Sequence, residues 1–521
     1  MDDTEQQKGF IGFLRWLGDL IWVLWGEPIL TFLGLYEPKD RTYGRWEVPF
    51  SKMEQRLHEN PDVSVSFHRA FFPNGKDWVW YQVWEDKLAQ RATGRRADMI
   101  FVHGTGVHSG TLASHSRRYL DAGFRLIVPD LVSHGYSTGL HVYQRYLTAY
   151  TSGLNLVLRD VAKRDDEAAG SRPAKKDRRR TFMLGLSFGG LLAIQYPLHF
   201  PTCAREDTTD MDDIPVDGII PVGPILDYSK DHIKIGAIVH SFTAFIEMLG
   251  AGRLELFVPH KKVLDKDPKV YKTLVDSDMR SHRGAFRVGH LLALRDGIEE
   301  VQRRAPEFRH PIYIQHGAMD RVVTIESSRE WLRRCNSEDV KMSVYPVCQH
   351  VIYKKGKTET EDKAGRVAVL EDNVAWMSER SPGQGHIDRG LSFSSDVARS
   401  ASFSSGVNTP DIMTPSDSMP ATPAAQEHEK DPSENVVQST INSLTNTIDN
   451  AIENAAVASA VQTGNTSLTK RHDVKLPLEP PPVPPPTEKK VDRHSPEWVE
   501  QRNYRPNWTL PEEIRPYDIV F

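Results

Sequence analysis

The stretch Thr181–Gly190, TFMLGLSFGG, decides the fold predicted for this chain. Its first four residues predict a short buried strand, and the apolar run that follows it predicts a helix. Between them, Gly185 and Gly189 flank Ser187 in a G-x-S-x-G turn, which presents a serine hydroxyl above the edge of a sheet. Glycine is needed on both sides because a Cβ atom there would collide with the neighbouring strand or helix. The alternative is a glycine-rich turn with an idle serine, but the strand-to-helix setting favours a nucleophile.

The alternation of strand and helix extends over residues 45–378. Short apolar runs separated by helical sequence are typical of a parallel sheet covered by helices on both faces. These runs are Met99–Val102, Arg125–Val128, Thr181–Leu184, Gly218–Val222 and Pro311–Ile314. A hairpin precedes them, since two β-rich runs, Val63–Phe72 and Trp78–Trp84, are joined by a Pro-Asn-Gly-Lys turn. The sequence therefore predicts an α/β domain with a mostly parallel central sheet.

Two later residues supply what a serine nucleophile needs. A serine hydroxyl is a weak nucleophile near neutral pH, so a histidine must take its proton and a carboxylate must orient that histidine. Asp320 closes the turn after the strand Pro311–Ile314, and His350 follows the next β-rich run. This order of serine, acid and histidine predicts Asp320 as the acid and His350 as the base. His310 and His316 are the competing histidines, and both precede Asp320.

A second loop is predicted to stabilise the oxyanion. The tetrahedral intermediate of acyl transfer needs preorganised N–H donors where negative charge develops. The run from His103 through Gly104 and Thr105 to Gly106 follows the first parallel strand, so the backbone amides of Thr105 and Phe188 are the predicted donors. A plain turn between strand and helix would explain the two glycines, but it would leave His103 unexplained.

Three motifs in this order resemble the monoacylglycerol lipases and the related serine aminopeptidase-like (lysophospholipase-type) hydrolases of the α/β-hydrolase superfamily. They are His103–Gly110, Asp130–Gly139 and Gly185–Gly190. The resemblance covers residues 45–378 and implies an α/β-hydrolase fold with a lid inserted at about residues 226–300. It also implies Ser187 as nucleophile, Asp320 as acid and His350 as base.

Two positions depart from the family pattern, and the lid has one notable stretch. Val107 stands where an acidic residue is usual, and Ser133 stands where glycine is usual, which bears on substrate detail rather than on the triad. Within the predicted lid, Ile235–Leu249 is mostly apolar, and Glu247 is its only formal charge. Such a stretch covers a bound acyl chain in lipases, or it packs lid helices on the core. Both interpretations remain open.

The N-terminal residues 1–40 differ in composition from the rest. From Phe10 to Tyr36, three residues are charged and three are tryptophan. The acidic start opposes a secretory signal, and the charge-free runs are too short for a simple span, with Pro28 predicted to interrupt the helix. Residues 10–36 are therefore predicted to embed in one leaflet at a membrane or lipid-droplet surface. A true span and packing onto the protein's own surface are the alternatives.

The C-terminal part is predicted to be disordered over residues 381–493. Half of the 34 prolines follow Arg380, and few aromatic residues accompany them, so this part cannot bury enough apolar surface to fold. Aromatic residues return in residues 494–521, a segment predicted to dock on the core. Kinases are predicted partners of the tail. The predicted phosphorylation sites are Ser400, Ser402, Thr409, Thr414 and Thr422.

Composition excludes several function classes. A net charge of -5 gives no basic face for nucleic acid, and three cysteines form neither a disulfide framework nor a metal-ligand spacing. No metal or cofactor is predicted. The sequence predicts an intracellular serine hydrolase, associated with the cytosolic face of the endoplasmic reticulum or a lipid droplet, that cleaves a monoacylglycerol or lysophospholipid ester through an acyl-enzyme. The alternatives are a non-lipid carboxylesterase, an acyltransferase, and a catalytically silent adaptor with a hydrolase fold.

Overall fold

The computed structural model describes residues 3–207, 209–210, 212–227, 251–257 and 265–383. The strands in these residues are β1 (Ser64–Phe71), β2 (Trp78–Glu85), β3 (Ala97–Val102), β4 (Phe124–Pro129), β5 (Arg180–Leu186), β6 (Gly218–Val222), β7 (Glu255–Phe257), β8 (Phe286–Arg287), β9 (Ile312–Gly317) and β10 (Val340–Tyr345). The helices are α1 (Asp3–Ile21), α2 (Glu27–Phe32), α3 (Lys52–His58), α4 (Lys87–Thr93), α5 (Ser116–Asp121), α6 (Thr148–Ala169), α7 (Phe188–His199), α8 (Pro268–Tyr271), α9 (Val288–Arg304), α10 (Ile325–Arg334), α11 (Glu359–Asp362) and α12 (Ala368–Glu379).

Eight of these strands form one sheet in the order β1-β2-β4-β3-β5-β6-β9-β10. The hairpin of β1 and β2 is antiparallel and joins β4 in antiparallel register. From β4 to β10 every pairing is parallel. The predicted hairpin and mostly parallel sheet are confirmed, and β6 has the bounds that the sequence predicts.

The core lies on both faces of this sheet, which explains why its strands read as continuous apolar runs. Every residue of β3 and β4 is buried. Side chains alternate between the faces: Ile100 and Val102 belong to one hydrophobic cluster, while Met99 and Phe101 belong to the other. Burying one such side chain contributes ~1.5–3 kcal/mol, so this alternation fixes the register of the strands.

The segment between β6 and β9, residues 223–311, is here called the insertion. In its described part, β7 pairs with β8 in an antiparallel ladder, and α9 follows β8 directly. One face of α9 is buried, including His290, Leu292 and Val301. The apolar stretch Ile235–Leu249 lies outside the described residues.

The N-terminal segment is helical through Phe32. A five-residue π-helical turn, Trp22–Gly26, joins α1 to α2, and Pro28 lies in the first turn of α2. Proline has no N–H to bond the carbonyl four residues back, and its ring crowds that carbonyl, so the α-helical ladder is disturbed in the turn before it. The predicted interruption at Pro28 therefore takes the form of this π-helical turn, after which the chain remains helical. Within the described residues, no helix is long and apolar enough to cross a membrane.

The predicted tail lies outside the described residues, except for Ser381–Gly383. The same holds for its kinase sites and for the aromatic segment at residues 494–521.

Candidate active site

Ser187 stands at the carboxyl end of β5 in a strained turn. Its φ of 55° and ψ of -113° lie outside the regions that a residue with a side chain normally adopts. A Cβ on Gly185 would strike the backbone of Gly189, and a Cβ on Gly189 would strike the carbonyl oxygen of Val102. The predicted reason for both glycines is thus confirmed, and the turn holds the Ser187 side chain above the sheet.

The structure brings three predicted residues into one hydrogen-bonded row. His350 Nε2 lies 2.9 Å from Ser187 Oγ, and His350 Nδ1 lies 2.8 Å from Asp320 Oδ2. The other carboxylate oxygen of Asp320 accepts hydrogen bonds from the backbone amides of Val322 and Val323 at 2.8 and 3.1 Å. The carboxylate is therefore held at two edges, and its orientation toward His350 is fixed.

Electrostatics determines which nitrogen of His350 carries the proton. Burial alone would raise the pKa of Asp320, but the hydrogen bond and charge of His350 outweigh it and lower that pKa below its ordinary value. An ionised Asp320 accepts a hydrogen bond, so His350 Nδ1 donates and Nε2 is left as an acceptor toward Ser187. This is the tautomer that can take a proton from the serine.

The two competing histidines have other partners. His310 Nε2 lies 3.3 Å from Cys203 Sγ, and burial lowers the pKa of His310 to about 4. His316 lies between Ser328 Oγ and the carbonyl of Val323, at 3.3 Å from each. Its Nε2 is 3.6 Å from Asp320 Oδ2, so it shares the carboxylate with His350 at longer range. The geometry selects His350 as the histidine that contacts the serine.

The predicted donor loop, residues 103–106, lies against the serine turn. A Cβ on Gly104 would be 3.7 Å from Ser187 Cβ, so the backbone that leads into Thr105 lies beside the serine. Phe188 is the residue after Ser187 and opens α7. The loop and the start of the helix therefore both lie beside Ser187.

The His103 side chain holds the donor loop in place through two hydrogen bonds. Its Nδ1 lies 2.8 Å from the carbonyl oxygen of Gly104, and its Nε2 accepts a hydrogen bond from the Leu131 amide at 2.9 Å. Burial lowers the pKa of His103 to about 4, so the ring is neutral near pH 7 and donates from Nδ1. This accounts for the histidine that a plain turn would leave unexplained.

Ser133, which stands where glycine is usual in the family, adopts a backbone conformation typical of glycine. Ser133 adopts a φ of 64°, in the left-handed region that glycine occupies at no steric cost. Its neighbour Asp130 stabilises this turn by accepting hydrogen bonds from the amides of Ser109 and Tyr136 at 2.9 and 2.8 Å. The motif Asp130–Gly139 therefore supports the segment that follows the donor loop, through the contact of Asp130 with Ser109.

Three contacts of the insertion, two with the donor loop region and one with α3, were not predicted from the sequence. Asp278 Oδ2 lies 2.7 Å from His108 Nε2, and the His282 amide donates to the carbonyl of Gly106 at 2.7 Å. Arg280 forms a fully buried ion pair with Glu54. These residues lie far apart in the chain, and no local pattern marks them as partners.

The contact of Asp278 with His108 leads to a prediction of how the free energy of unfolding depends on pH. Burial alone would raise the pKa of Asp278, but the hydrogen bond from His108, with a further contribution from Arg280, lowers it to about 2. Because an unfolded aspartate titrates near ~4, the stabilisation is complete above about pH 4 and is lost as the pH falls through about 2. We expect Asp278→Asn to lower the free energy of unfolding at pH 7 by roughly 2 kcal/mol.

Denaturant unfolding at pH 7 and at pH 3 measures this difference, which should shrink at the lower pH. Asp62→Asn, at an exposed residue, is the matched control and should change little. An equal loss for Asp278→Asn at both pH values would contradict the assignment.

Among the described residues, no group of three or more His, Cys, Asp or Glu side chains is arranged to hold a metal ion.

The chain is similar to several proteins named as monoacylglycerol or monoglyceride lipases. A monoacylglycerol lipase of Mycolicibacterium smegmatis is 23% identical over 318 residues, which is 60% of this chain and 98% of that protein. The crystal structure of a soluble variant of monoglyceride lipase from Saccharomyces cerevisiae, in complex with a substrate analogue, is 16% identical with a TM-score of 0.47, covering 64% of this chain and 99% of the other. The Paleococcus ferrophilus monoacylglycerol lipase structure is 19% identical with a TM-score of 0.43, covering 55% and 96%.

The mostly parallel eight-stranded sheet, with the serine turn after its fifth strand, is an α/β-hydrolase fold. The hydrolase family described as "Serine aminopeptidase, S33" matches residues 93–355, half of the chain, and that range contains Ser187, Asp320 and His350. The protein therefore belongs to this α/β-hydrolase family.

Proposed function

We propose that this protein is a serine hydrolase that cleaves the carboxylic ester of a lipid, a monoacylglycerol or a lysophospholipid, through an acyl-enzyme. The observation that carries the proposal is the row from Ser187 through His350 to Asp320, with separations of 2.9 and 2.8 Å. Nucleophile, base and orienting carboxylate at these distances are what acyl transfer to a serine requires.

In the proposed mechanism, Ser187 Oγ attacks the ester carbonyl while His350 Nε2 takes the serine proton. Asp320 holds the tautomer and stabilises the imidazolium that forms. The backbone amides of Thr105 and Phe188 donate to the oxyanion. His350 then gives its proton to the departing alcohol, and a water molecule, deprotonated by the same nitrogen, hydrolyses the acyl-enzyme.

A lipid substrate is supported by the relative that carries the name monoacylglycerol lipase and by the exposed apolar side chains of the N-terminal segment. A panel of esters with the purified full chain tests it. We expect a higher kcat/KM for long-chain monoacylglycerols or lysophospholipids than for p-nitrophenyl acetate. Preference for the short ester would favour a non-lipid carboxylesterase, and transfer of the acyl group to an added alcohol in preference to water would favour an acyltransferase.

We further propose that residues 10–36 attach the protein to one leaflet of a membrane, at the cytosolic face of the endoplasmic reticulum or a lipid droplet. Several large apolar side chains of this segment are exposed: Phe13, Leu14, Trp16, Ile21, Trp22, Trp25, Ile29, Phe32, Leu33 and Leu35. Such a surface gains free energy by entering the interface, where an enzyme also meets its dissolved substrate at high effective concentration.

Phe32→Ser with Leu35→Ser tests this attachment. Both side chains are strongly exposed, at 88% and 73%, so we expect vesicle binding to fall at least about tenfold with little change in melting temperature. Co-flotation with phosphatidylcholine vesicles measures the binding. Leu88→Ser, at a residue of α4 that is 64% exposed, is the matched control. Undiminished flotation of the double variant would show that another element binds the membrane.

A further inference from the structure

The N-terminal segment is joined to the insertion by a nearly buried ion pair. Glu27, in the first turn of α2, is 5% exposed, and its Oε2 lies 3.0 Å from Nη1 of Arg253. The same guanidinium nitrogen donates to the carbonyl of Val23 at 3.2 Å. Tyr43 completes the cluster by donating its hydroxyl to Glu27 Oε1 at 2.5 Å. A carboxylate with two side-chain partners is unusual in a segment otherwise rich in exposed apolar residues.

From Arg253, hydrogen bonds continue to the start of α9. The Arg253 carbonyl accepts from Arg287 Nη1 at 2.6 Å, and the Leu254 carbonyl accepts from the Val288 amide at 3.0 Å. The backbones are also in close contact, since a Cβ on Gly289 would lie 3.1 Å from the carbonyl oxygen of Gly252. The segment that carries Arg253 therefore fixes where α9 begins.

β8 and the start of α9 in turn pack against the two segments predicted to supply the oxyanion donors. The His290 ring lies 5.2 Å from the ring of Phe188, in an edge-on arrangement. A Cβ on Gly106 in the donor loop would lie 3.8 Å from the Phe286 ring. Phe286 and His290 are 6.3 Å apart and together form what is here called the wall beside Ser187.

We propose that Glu27 is a positioning residue of the active site: by pairing with Arg253, it ties the exposed apolar segment Trp22–Leu35 to the wall beside Ser187. The inference rests on the proposed function, because it assigns to the membrane-attached segment a second task in the same reaction. Attachment to a membrane and the shape of the substrate site are thereby coupled. Without the carboxylate of Glu27, the charged side chain of Arg253 would shift toward water. The wall, whose position is set by the segment that carries Arg253, would then move away from Phe188 and Gly106.

The decisive variant is Glu27→Gln, which keeps the shape and removes the charge. We expect the second-order rate constant for fluorophosphonate labelling of the full chain to fall about tenfold, since small misplacements at a reacting centre have effects of this order. Hydrolysis of p-nitrophenyl butyrate should fall in proportion through kcat, while vesicle flotation stays unchanged. Exchanging the charges in Glu27→Arg with Arg253→Glu should restore labelling to within about threefold.

Glu37→Gln is the matched control, because Glu37 lies just beyond the same segment and forms ion pairs with Arg41 and Lys76 that do not involve the insertion. It should label at the wild-type rate. Loss of structure alone would lower the fraction of protein that labels, but not the rate constant of the remainder. If Glu27→Gln is insoluble, Tyr43→Phe replaces it and should slow labelling about threefold.

The inference would be overturned if Glu27→Gln, or a folded Tyr43→Phe, labelled at the wild-type rate. It would also be overturned if the double variant with exchanged charges labelled no faster than the slower of Glu27→Arg and Arg253→Glu.

Failure of the proposed function gives a different result. A wild-type protein that labels at Ser187 but cleaves no lipid ester would reject the lipid substrate, whereas the comparison of labelling rates among the variants would still decide the role of Glu27.

Discussion

Ser187→Ala should abolish covalent labelling by a fluorophosphonate and lower ester hydrolysis at least about 10⁴-fold, because no other group replaces the nucleophile in a serine triad. The Ser187 hydroxyl is the atom that His350 Nε2 contacts at 2.9 Å. What activity remains would come from backbone donors that still stabilise the oxyanion of an attacking water. Labelling of the purified protein, followed by peptide mapping, measures the loss at the residue itself.

The fold should survive this substitution. Alanine differs from serine by one oxygen atom and occupies the strained φ of 55° at a similar cost. Ser133→Ala is a matched control, since Ser133 is also buried and also has a positive φ, but its hydroxyl faces Tyr150 at 3.4 Å. The control should label fully. Full labelling of Ser187→Ala would remove Ser187 from the nucleophile role and revive the catalytically silent adaptor as an interpretation.

The sequence predicts the serine turn and the residues of the row because their signals are local. The glycines Gly185 and Gly189 indicate a turn with no room for side chains. Asp320 and His350 each follow a predicted strand, and both strands end at the same edge of a parallel sheet. Polar residues at the carboxyl ends of such strands meet in space whatever the intervening sequence. Chain order already favours His350 over His316, which precedes Asp320. The structure adds that both histidines lie near the carboxylate of Asp320 and that His350 is hydrogen-bonded to Ser187.

The partners of the insertion could not be predicted in the same way. Asp278 with His108, and Arg280 with Glu54, join parts of the chain separated by 170 and 226 positions. Their pairing depends on how the insertion folds back over the sheet, and neither periodicity nor turn chemistry encodes that path. The ion pair of Glu27 with Arg253 could not be predicted either, because a single acidic residue in an apolar helix is usually exposed to water.

Asp320→Asn should lower kcat/KM at neutral pH by about 10⁴-fold while leaving the ester-binding surfaces intact, which is the size of effect that the wrong histidine tautomer has in a serine triad. An asparagine can present its NH₂ group to His350 Nδ1, now 2.8 Å from a carboxylate oxygen. The histidine would then accept at Nδ1 and carry its proton on Nε2, where it cannot take the proton of Ser187.

The pH dependence separates this role from a merely structural one. Since the pKa of Asp320 is lowered, the wild-type carboxylate stays ionised well into the acid range, and its protonation should not limit activity near neutral pH. Asp320→Asn should recover part of its activity at alkaline pH, where hydroxide replaces the missing base. Asp339→Asn, which breaks an ion pair with Arg380 away from this row, is the control and should keep wild-type kinetics.

If His316 held the catalytic proton instead of His350, the variant His350→Ala would keep fluorophosphonate labelling and His316→Ala would lose it. The 2.9 Å contact between His350 and Ser187 leads us to expect the reverse.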